Sequence, residues 1–255
     1  MNWINTLSRY ASIVILTGAV ISAESGLETF RGAGGLWCGH RVEEVATPEA
    51  FAEYPERVHA FYNERRQALL DPRIQPNSAH RALATLEAQW KGKVLLVTQN
   101  IDNLHERGGS QNLIHMHGEL LQAFCAHCSS GTGPKIECRA DLSSNDICSG
   151  CNMYGGLRPD IVWFGEMPYH MDVVAGALAS CDLFVAIGTS GNVYPAAGFV
   201  REALIAGAIT VEINLEPSAN VSAFHYSISG SAGTTVPQLV ELLIKSSYQS
   251  TTLKY

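Results

Sequence analysis

The chain has 255 residues, 46% hydrophobic and 16% charged, which is enough apolar material for one substantial core or a core plus an insertion and excludes a disordered tail protein. Seventeen basic against 24 acidic side chains give a net charge of −7. No broad positive field is available to neutralise phosphates, so a sequence-nonspecific nucleic-acid binder is not expected.

Arg9, the apolar run 11–21 and the small residues Ser22 and Ala23 imitate a signal peptide, but Thr17 and Gly18 break the run. No stretch approaches the roughly 20 apolar residues of a bilayer span, so a soluble cytoplasmic protein with no membrane partner is expected. Residues 13–16 read as a buried parallel strand. After it comes Gly18-Ala19-Val20-Ile21-Ser22-Ala23-Glu24-Ser25-Gly26, then Thr29-Phe30-Arg31-Gly32. This is not the strict G-x-G-x-x-G fingerprint, and no acid ends a second strand about 20 residues later. Gly18, the hydroxyls of Ser22 and Ser25, and Arg31 suit a phosphate loop; a plain strand-to-helix turn is the alternative.

Residues 32–71 show no convincing strand and contain a helical run over 54–70. On that helix Tyr62 and Arg65 share a face, so phenol and guanidinium can converge, whereas Arg66 lies a further 100° or so round. The alternative is a solvated arginine beside a partly buried tyrosine. The spacing predicts a helix over 78–90, with Ala82, Leu83 and Leu86 on one face and Asn77 or Ser78 as N-cap. Further strands are expected at 94–97, 183–187 and 210–213, and a helix over 195–206 that starts at proline and stops at Gly207.

Alternation of strands and helices argues for an α/β doubly wound, Rossmann-like parallel sheet. The four strand exits are Thr17-Gly18-Ala19, Thr98-Gln99-Asn100-Ile101-Asp102, Gly188-Thr189-Ser190-Gly191 and Asn214-Leu215-Glu216. Small and hydrogen-bonding residues at all four favour a nucleotide crevice at the carboxyl edge. We expect residues 1–31, 72–123 and 157–255 to form the nucleotide-binding domain. Residues 32–71 and 124–156 would form a smaller domain with a helical part and a metal-binding part.

Five of the seven cysteines lie between residues 125 and 151, which reads as metal ligation in a reducing compartment. Cys125-x2-Cys128 and Cys148-x2-Cys151 are 19 residues apart, a spacing that suits a four-thiolate, closed, structural zinc site. Cys138 and His127 are rival ligands without paired spacing. His105, His115 and His117 lie close to the Asn100/Asp102 loop; His117, at the entry to the cysteine lobe, sits at the seam where a pocket and a general base are expected.

In this order and spacing the chain resembles the sirtuins, NAD-dependent protein lysine deacylases. The resemblance rests on the Gly18 to Gly26 loop, Thr29-Phe30-Arg31, Thr98 to Asp102, His117-Gly118, the cysteine pairs, Val162-Trp163-Phe164-Gly165-Glu166, Gly188-Thr189-Ser190 and Asn214-Leu215-Glu216. It is most similar to bacterial members that also remove succinyl groups. The resemblance implies NAD and Zn²⁺ as cofactors, and an NAD site made of Gly18, Ala19, Val20, Ser22, Glu24, Phe30, Arg31, Trp37, Gln99, Asn100, Ile101, Asp102, Gly188, Thr189, Ser190, Asn214, Leu215, Glu216 and Ala232. Within it, Phe30 would shield the nicotinamide end, Gln99 hold the nicotinamide ribose, and Asn100 and Asp102 bind the carboxamide. His117 would be the base that activates a ribose hydroxyl. Residues Val162, Trp163, Phe164, Gly165 and Glu166 would take an extended peptide by its backbone, and Tyr62 and Arg65 a succinyl carboxylate.

The implied reaction joins the acyl oxygen to C1′ as nicotinamide leaves, through an alkylimidate, and ends in free lysine and O-acyl-ADP-ribose. Implied partners are acyl-lysine proteins, with a monomer expected. One departure stands out: the family loop usually has glycine where this chain has Val20, so either its Cβ points into the core or NAD binding is weakened. Two other uses of the pocket stay open, ADP-ribosyl transfer or NAD hydrolysis on a different acceptor, and a noncatalytic NAD-sensing or zinc-dependent scaffold.

Overall fold

A computed structural model describes residues 2–28, 36–37, 39–128 and 134–249. In chain order the elements are β1 (Ile13–Thr17), α1 (Val20–Ala23), β2 (Leu36–Trp37), β3 (His40–Arg41), α2 (Val42–Val45), α3 (Pro48–Glu53), α4 (Pro55–Leu70), α5 (Ser78–Gln89), β4 (Val94–Thr98), α6 (Leu104–Gly108), β5 (Leu113–His115) and β6 (Gly118–Cys125). They continue with β7 (Ile136–Glu137), β8 (Leu157–Ile161), α7 (Met171–Leu178), β9 (Leu183–Ile187), α8 (Phe199–Ile205), β10 (Ile209–Asn214), β11 (Tyr226–Ser229) and α9 (Ala232–Gln249).

Six strands form one parallel sheet in the order β11-β10-β9-β1-β4-β5. The apolar run that imitates a leader is the centre of this sheet: every residue of β1 is buried, because both faces are covered. Ile13 and Ile15 point to a core shared with Leu83 and Leu86 of α5 and Val236, Leu239 and Leu243 of α9. Val14 and Leu16 point the other way, to Val174 and Leu178 of α7 and Phe199, Val200 and Ala203 of α8. The strand order reverses at β1, so the chain leaves β1 and β9 in opposite directions and opens a crevice at their carboxyl ends. Thr17 is in register with Thr98 on one side and Ile187 on the other, which brings three of the four exits to one level.

The α5 helix begins as expected. The Asn77 side chain accepts from the Ala79 and His80 N–H groups, and His80 Nδ1 accepts from the Asn77 N–H, a reciprocal cap. Two expectations need correction. Residues 32–71 do contain strand, the antiparallel pair β2 and β3, two residues each and too short to show a period. The helix expected over 195–206 becomes regular only at Phe199; Ala196–Gly198 is a 3₁₀ turn.

A second sheet, β7-β6-β8, is antiparallel and separate from the first. Gly118 opens it with φ +84°, and a Cβ there would run into the Asp160 carbonyl, so only glycine lets β6 and β8 meet. The strand β6 runs through the 123/124 boundary expected from the sequence. It packs with α2 to α4 through Val45, Val58, Phe61, Leu69, Leu120 and Trp163. Among the described residues no helix is long and apolar enough to cross a membrane.

Candidate functional site

The exits of β1, β4, β9 and β10 meet at the carboxyl edge. Gly18 N–H donates to the Ile187 carbonyl (3.0 Å) and Val20 N–H to the Gly188 carbonyl (3.3 Å). Gly188 has φ +65°, and a Cβ there would stand 3.0 Å from the Val20 Cβ, so the two turns approach only because residue 188 is glycine. Val20 is half-buried against that turn, neither sealed in the core nor wholly exposed.

Asn100 is buried and spans the first two exits. Its Nδ2 donates to the Gly18 carbonyl and to Ser22 Oγ, both at 3.1 Å, and its N–H donates to Thr98 Oγ1 at 3.0 Å. Ser22 Oγ in turn donates to Asp102 Oδ2 (2.9 Å), and the Leu104 N–H to Asp102 Oδ1 (3.0 Å). Burial pushes the Asp102 pKa upward, with the Leu104 and Ser22 bonds working against it. A small cavity puts Gln99 beside Thr189 and Asn220. On the far side Asn214 Nδ2 donates to the Thr189 carbonyl (2.7 Å), while the Ser190 carbonyl accepts from Ala219 N–H (3.0 Å).

Other expected cofactor residues are placed differently. Leu215 and Glu216 are exposed, and Ala232 is buried at the start of α9. Glu24 accepts the Gly233 N–H (2.9 Å) in the first turn of α9, so its carboxylate already serves a helix terminus. The Ala19 side is half-buried, and Ile101 packs into the α4 core. Phe30 and Arg31 lie outside the described residues, as does the side chain of Trp37, whose backbone is in β2.

The three histidines separate by environment. His105 is fully buried, with Nε2 3.0 Å from Thr17 Oγ1, which also donates to Thr98 Oγ1 (2.9 Å); burial holds its pKa well below the ordinary imidazole value. His115 sits 2.6 Å from Glu106, and although burial opposes the charge, that carboxylate raises its pKa. His117 Nδ1 lies 3.1 Å from the Gln99 carbonyl, which can only accept, so Nδ1 carries the proton and Nε2 keeps its lone pair. Burial lowers its pKa, the Gln99 bond acting in the opposite sense. The His117 carbonyl accepts the Val162 N–H (2.9 Å), so the same residue joins the crevice to the segment 162–166.

That segment is not a strand: β8 ends at Ile161, and residues 164–166 turn. Phe164 and Gly165 are exposed and Val162 is half-buried. Trp163 is 2% exposed and lies beneath the segment, its Nε1–H donating to Tyr62 Oη at 2.9 Å. Glu166 accepts both arms of Arg158, a residue that the sequence reading missed; the signal was a pair of charges, Arg158 and Asp160, immediately before the apolar Ile161-Val162-Trp163.

Tyr62 is fully buried, which pushes its phenol pKa up. Arg65 Nη1 donates to the Phe61 carbonyl (2.6 Å), and its guanidinium lies 3.4 Å over the Phe61 ring, with 15% of the side chain exposed. Arg66, the rival, is fully buried and holds the Leu120 carbonyl (3.3 Å) and Asn63 Oδ1 (2.6 Å).

The four cysteine sulfurs of Cys125, Cys128, Cys148 and Cys151 lie within 4.8 Å of one another, with Cys125–Cys151 at 3.7 Å and Cys128–Cys148 at 3.6 Å. A tetrahedron with Zn–S arms of about 2.3 Å has edges of about 3.8 Å, so the cluster fits zinc with little adjustment. Cys138 Sγ instead donates to the Ala140 carbonyl (3.5 Å). The cluster lies at the tip of the second sheet, remote in role from the crevice, and all four ligands are protein thiols, as a structural ion requires.

Comparison with known proteins agrees with this geometry. The pattern that defines the Sir2 family matches residues 18–195. A Vibrio cholerae "NAD-dependent protein deacylase" is 56% identical over 235 residues, covering 92% of this chain and 94% of its own. A Leishmania major relative named "NAD-dependent protein deacylase SIR2rp3" is 55% identical over 238 residues, covering 92% and 96%. Among solved structures, a Sir2 homologue–NAD complex superimposes with a TM-score of 0.85 at 36% identity, over 96% of this chain and 94% of that one. A Sir2–p53 peptide–NAD⁺ complex does so with a TM-score of 0.78 at 28% identity, over 94% and 95%. With the family pattern, the near-complete coverage and the shared fold in agreement, the chain belongs to the Sir2 family.

Proposed function

We propose that this protein removes acyl groups, acetyl and succinyl, from lysine side chains of proteins, consuming NAD and giving nicotinamide, O-acyl-ADP-ribose and free lysine. The observation that carries the reading is the path Gln99–His117–Val162, which sets one imidazole with an available Nε2 between a nucleotide crevice and an exposed backbone segment. The names of its relatives and the NAD and peptide in its structural neighbours support the same activity.

The crevice residues fit NAD. Asn100, Ser22 and Asp102 are held as one hydrogen-bonded set beside the close Gly18/Gly188 turns, at the switch point where α/β sheets take dinucleotides. When bound, NAD supplies a ribosyl carbon with nicotinamide as its leaving group. Asn100 and Asp102 would orient the nicotinamide amide, Gln99 the adjoining ribose, Thr189 and Ser190 the phosphates, and Asn214 the adenosine ribose. Their fixed geometry lowers the barrier by orientation. The Gln99 carbonyl, by holding Nδ1–H, leaves Nε2 of His117 with its lone pair, so that with NAD bound His117 would be the base for a ribose hydroxyl. The exposed edge at Val162, Phe164 and Gly165 takes the peptide through its backbone, which tolerates many target sequences. Four thiols kept reduced for zinc suit a cytoplasmic protein, and the expected monomer binds no nucleic acid.

Mass spectrometry of a reaction with acetyl-lysine or succinyl-lysine peptide tests this reading. Equal amounts of deacylated peptide and O-acyl-ADP-ribose are expected. Free carboxylate in place of the ADP-ribose ester would exclude it.

Two substitutions sharpen the reading. Arg65→Met is expected to lower kcat/KM for desuccinylation by about ten-fold or more and to affect deacetylation much less, since each charge-assisted bond to a carboxylate contributes about 1.5–3 kcal/mol and acetyl has no carboxylate. Equal losses on both substrates would make Arg65, with its contacts to Phe61, a purely structural residue. For Val20→Gly, calorimetric affinity for NAD is expected to stay the same or weaken, because the side chain rests on the Gly188 turn. Tighter binding would show that the valine obstructs the cofactor.

A further inference from the structure

We propose that the ion pair between the buried Arg158 and the partly exposed Glu166 is a positioning device that pre-sets the backbone of residues 162–166 for the acyl-lysine peptide. On this view Glu166 acts through the shape of the segment and does not touch substrate. The inference rests on the reading above that this segment receives the peptide.

Arg158 is 6% exposed on β8. Its Nη1 and Nη2 fork onto Glu166 Oε1 (2.7 Å) and Oε2 (3.0 Å), and Nη2 also donates to the Ile161 carbonyl (2.8 Å), the last residue before the segment. The guanidinium stacks 3.3 Å from the Trp163 ring centre and 4.9 Å from that of Phe124. A planar, always charged fork suits this place, because it can stack and bind two oxygens at once; a lysine ammonium cannot do both.

Glu166 passes the constraint into the backbone. Its Oε2 accepts the Trp163 N–H (2.8 Å), and its own N–H donates to the Trp163 carbonyl (3.0 Å), closing a turn around Gly165, whose φ is +90°. The Val162 N–H is held by His117 and the Phe164 N–H by Ala46 (3.0 Å). Among the described residues, the Gly165 N–H and the Val162 carbonyl bond to no other protein group, which leaves edge groups for an incoming extended chain. A short exposed segment tied this heavily is ordered before the peptide arrives, so little ordering entropy is lost on binding.

Arg158 is buried and 30% of the Glu166 side chain is exposed, so the exposed end of the pair contributes little to stability. Apolar residues of similar volume are expected to be close to neutral for folding, which lets shape be separated from stability. The test is steady-state kinetics of the zinc-loaded Arg158→Met/Glu166→Leu double variant and of Glu166→Gln, with peptide and NAD varied separately. In the double variant the peptide KM is expected to rise about ten-fold or more while the NAD KM stays within about two-fold, because only ordering of the peptide edge is lost. Glu166→Gln keeps an acceptor for Trp163 and is expected to fall between.

A merely structural pair would instead lower kcat by reducing the active fraction and leave both KM values in place. An unchanged peptide KM in the folded double variant, or equal increases for peptide and NAD, overturns the proposal. If the double variant does not fold, an unchanged peptide KM in Glu166→Gln overturns it alone. Failure of the underlying reading has a different signature: the unmodified protein would then release no nicotinamide in response to acyl-lysine peptide.

Discussion

Replacing His117 with alanine is expected to reduce deacylation by at least about 10²-fold, the lower end of what a positioned general base contributes, while fold and zinc content remain. Among the described residues the side chain makes one hydrogen bond, to the Gln99 carbonyl, whose loss costs about 0.5–1.5 kcal/mol, too little to unfold a domain of this size. Far-ultraviolet circular dichroism and metal analysis should therefore match the unmodified protein. Near-normal turnover would remove His117 from the mechanism. The pH profile gives an independent check. Burial lowers the pKa of His117, so the neutral base persists to more acidic pH than for a free imidazole, and activity is lost only as pH falls through that lowered value. The acid limb of kcat/KM should lie below about 6.5 and vanish from the residual activity of the variant.

Cys148→Ser should cost both the metal and the activity. Zinc stoichiometry, expected at one per chain in the unmodified protein, should fall towards zero on dialysis in the variant, since three thiolates hold the ion poorly and binding energies of about 10–16 kcal/mol are what order such lobes. The reason activity follows lies in α4. Asn63 on that helix donates to the Leu142 carbonyl (2.8 Å) and accepts its N–H (2.9 Å), Gln67 donates to Asp141 (2.9 and 3.0 Å), and His59 Nε2 donates to the Leu157 carbonyl (2.9 Å). A lobe that unfolds releases the helix bearing Tyr62 and Arg65. Unchanged zinc in this variant would assign the fourth ligand to Cys138 or His127.

What could be read from the sequence follows from how local the signal is. The strand at Leu183–Ile187 and the cap at Asn77 depend on neighbours within a few residues, and both appear where expected. The two Cys-x2-Cys pairs carry their own turn geometry, so their convergence was legible as well.

β8 was not legible. Its sequence Leu-Arg-Pro-Asp-Ile runs against strand propensity, yet all five residues are buried. Its charges are matched only in three dimensions, Arg158 by Glu166 and Asp160 by Lys135 at 2.6 Å and by Tyr169 at 2.8 Å. The Thr17–Thr98–His105 cluster was missed for the same reason: parallel pairing of β1 and β4 brings together residues 81 and 88 positions apart. Trp163, expected from the sequence at the peptide segment, is buried beneath residues 162–166 against Tyr62, because alternation along a short segment cannot tell which side faces a helix that packs on it.

Nicotinamide release by the zinc-loaded protein, measured with and without an acyl-lysine peptide, tests the central claim most directly. Deacylation by NAD predicts release that depends on the peptide and matches free lysine one to one. Peptide-independent release, label transferred from NAD to protein, or NAD binding without any release would contradict it.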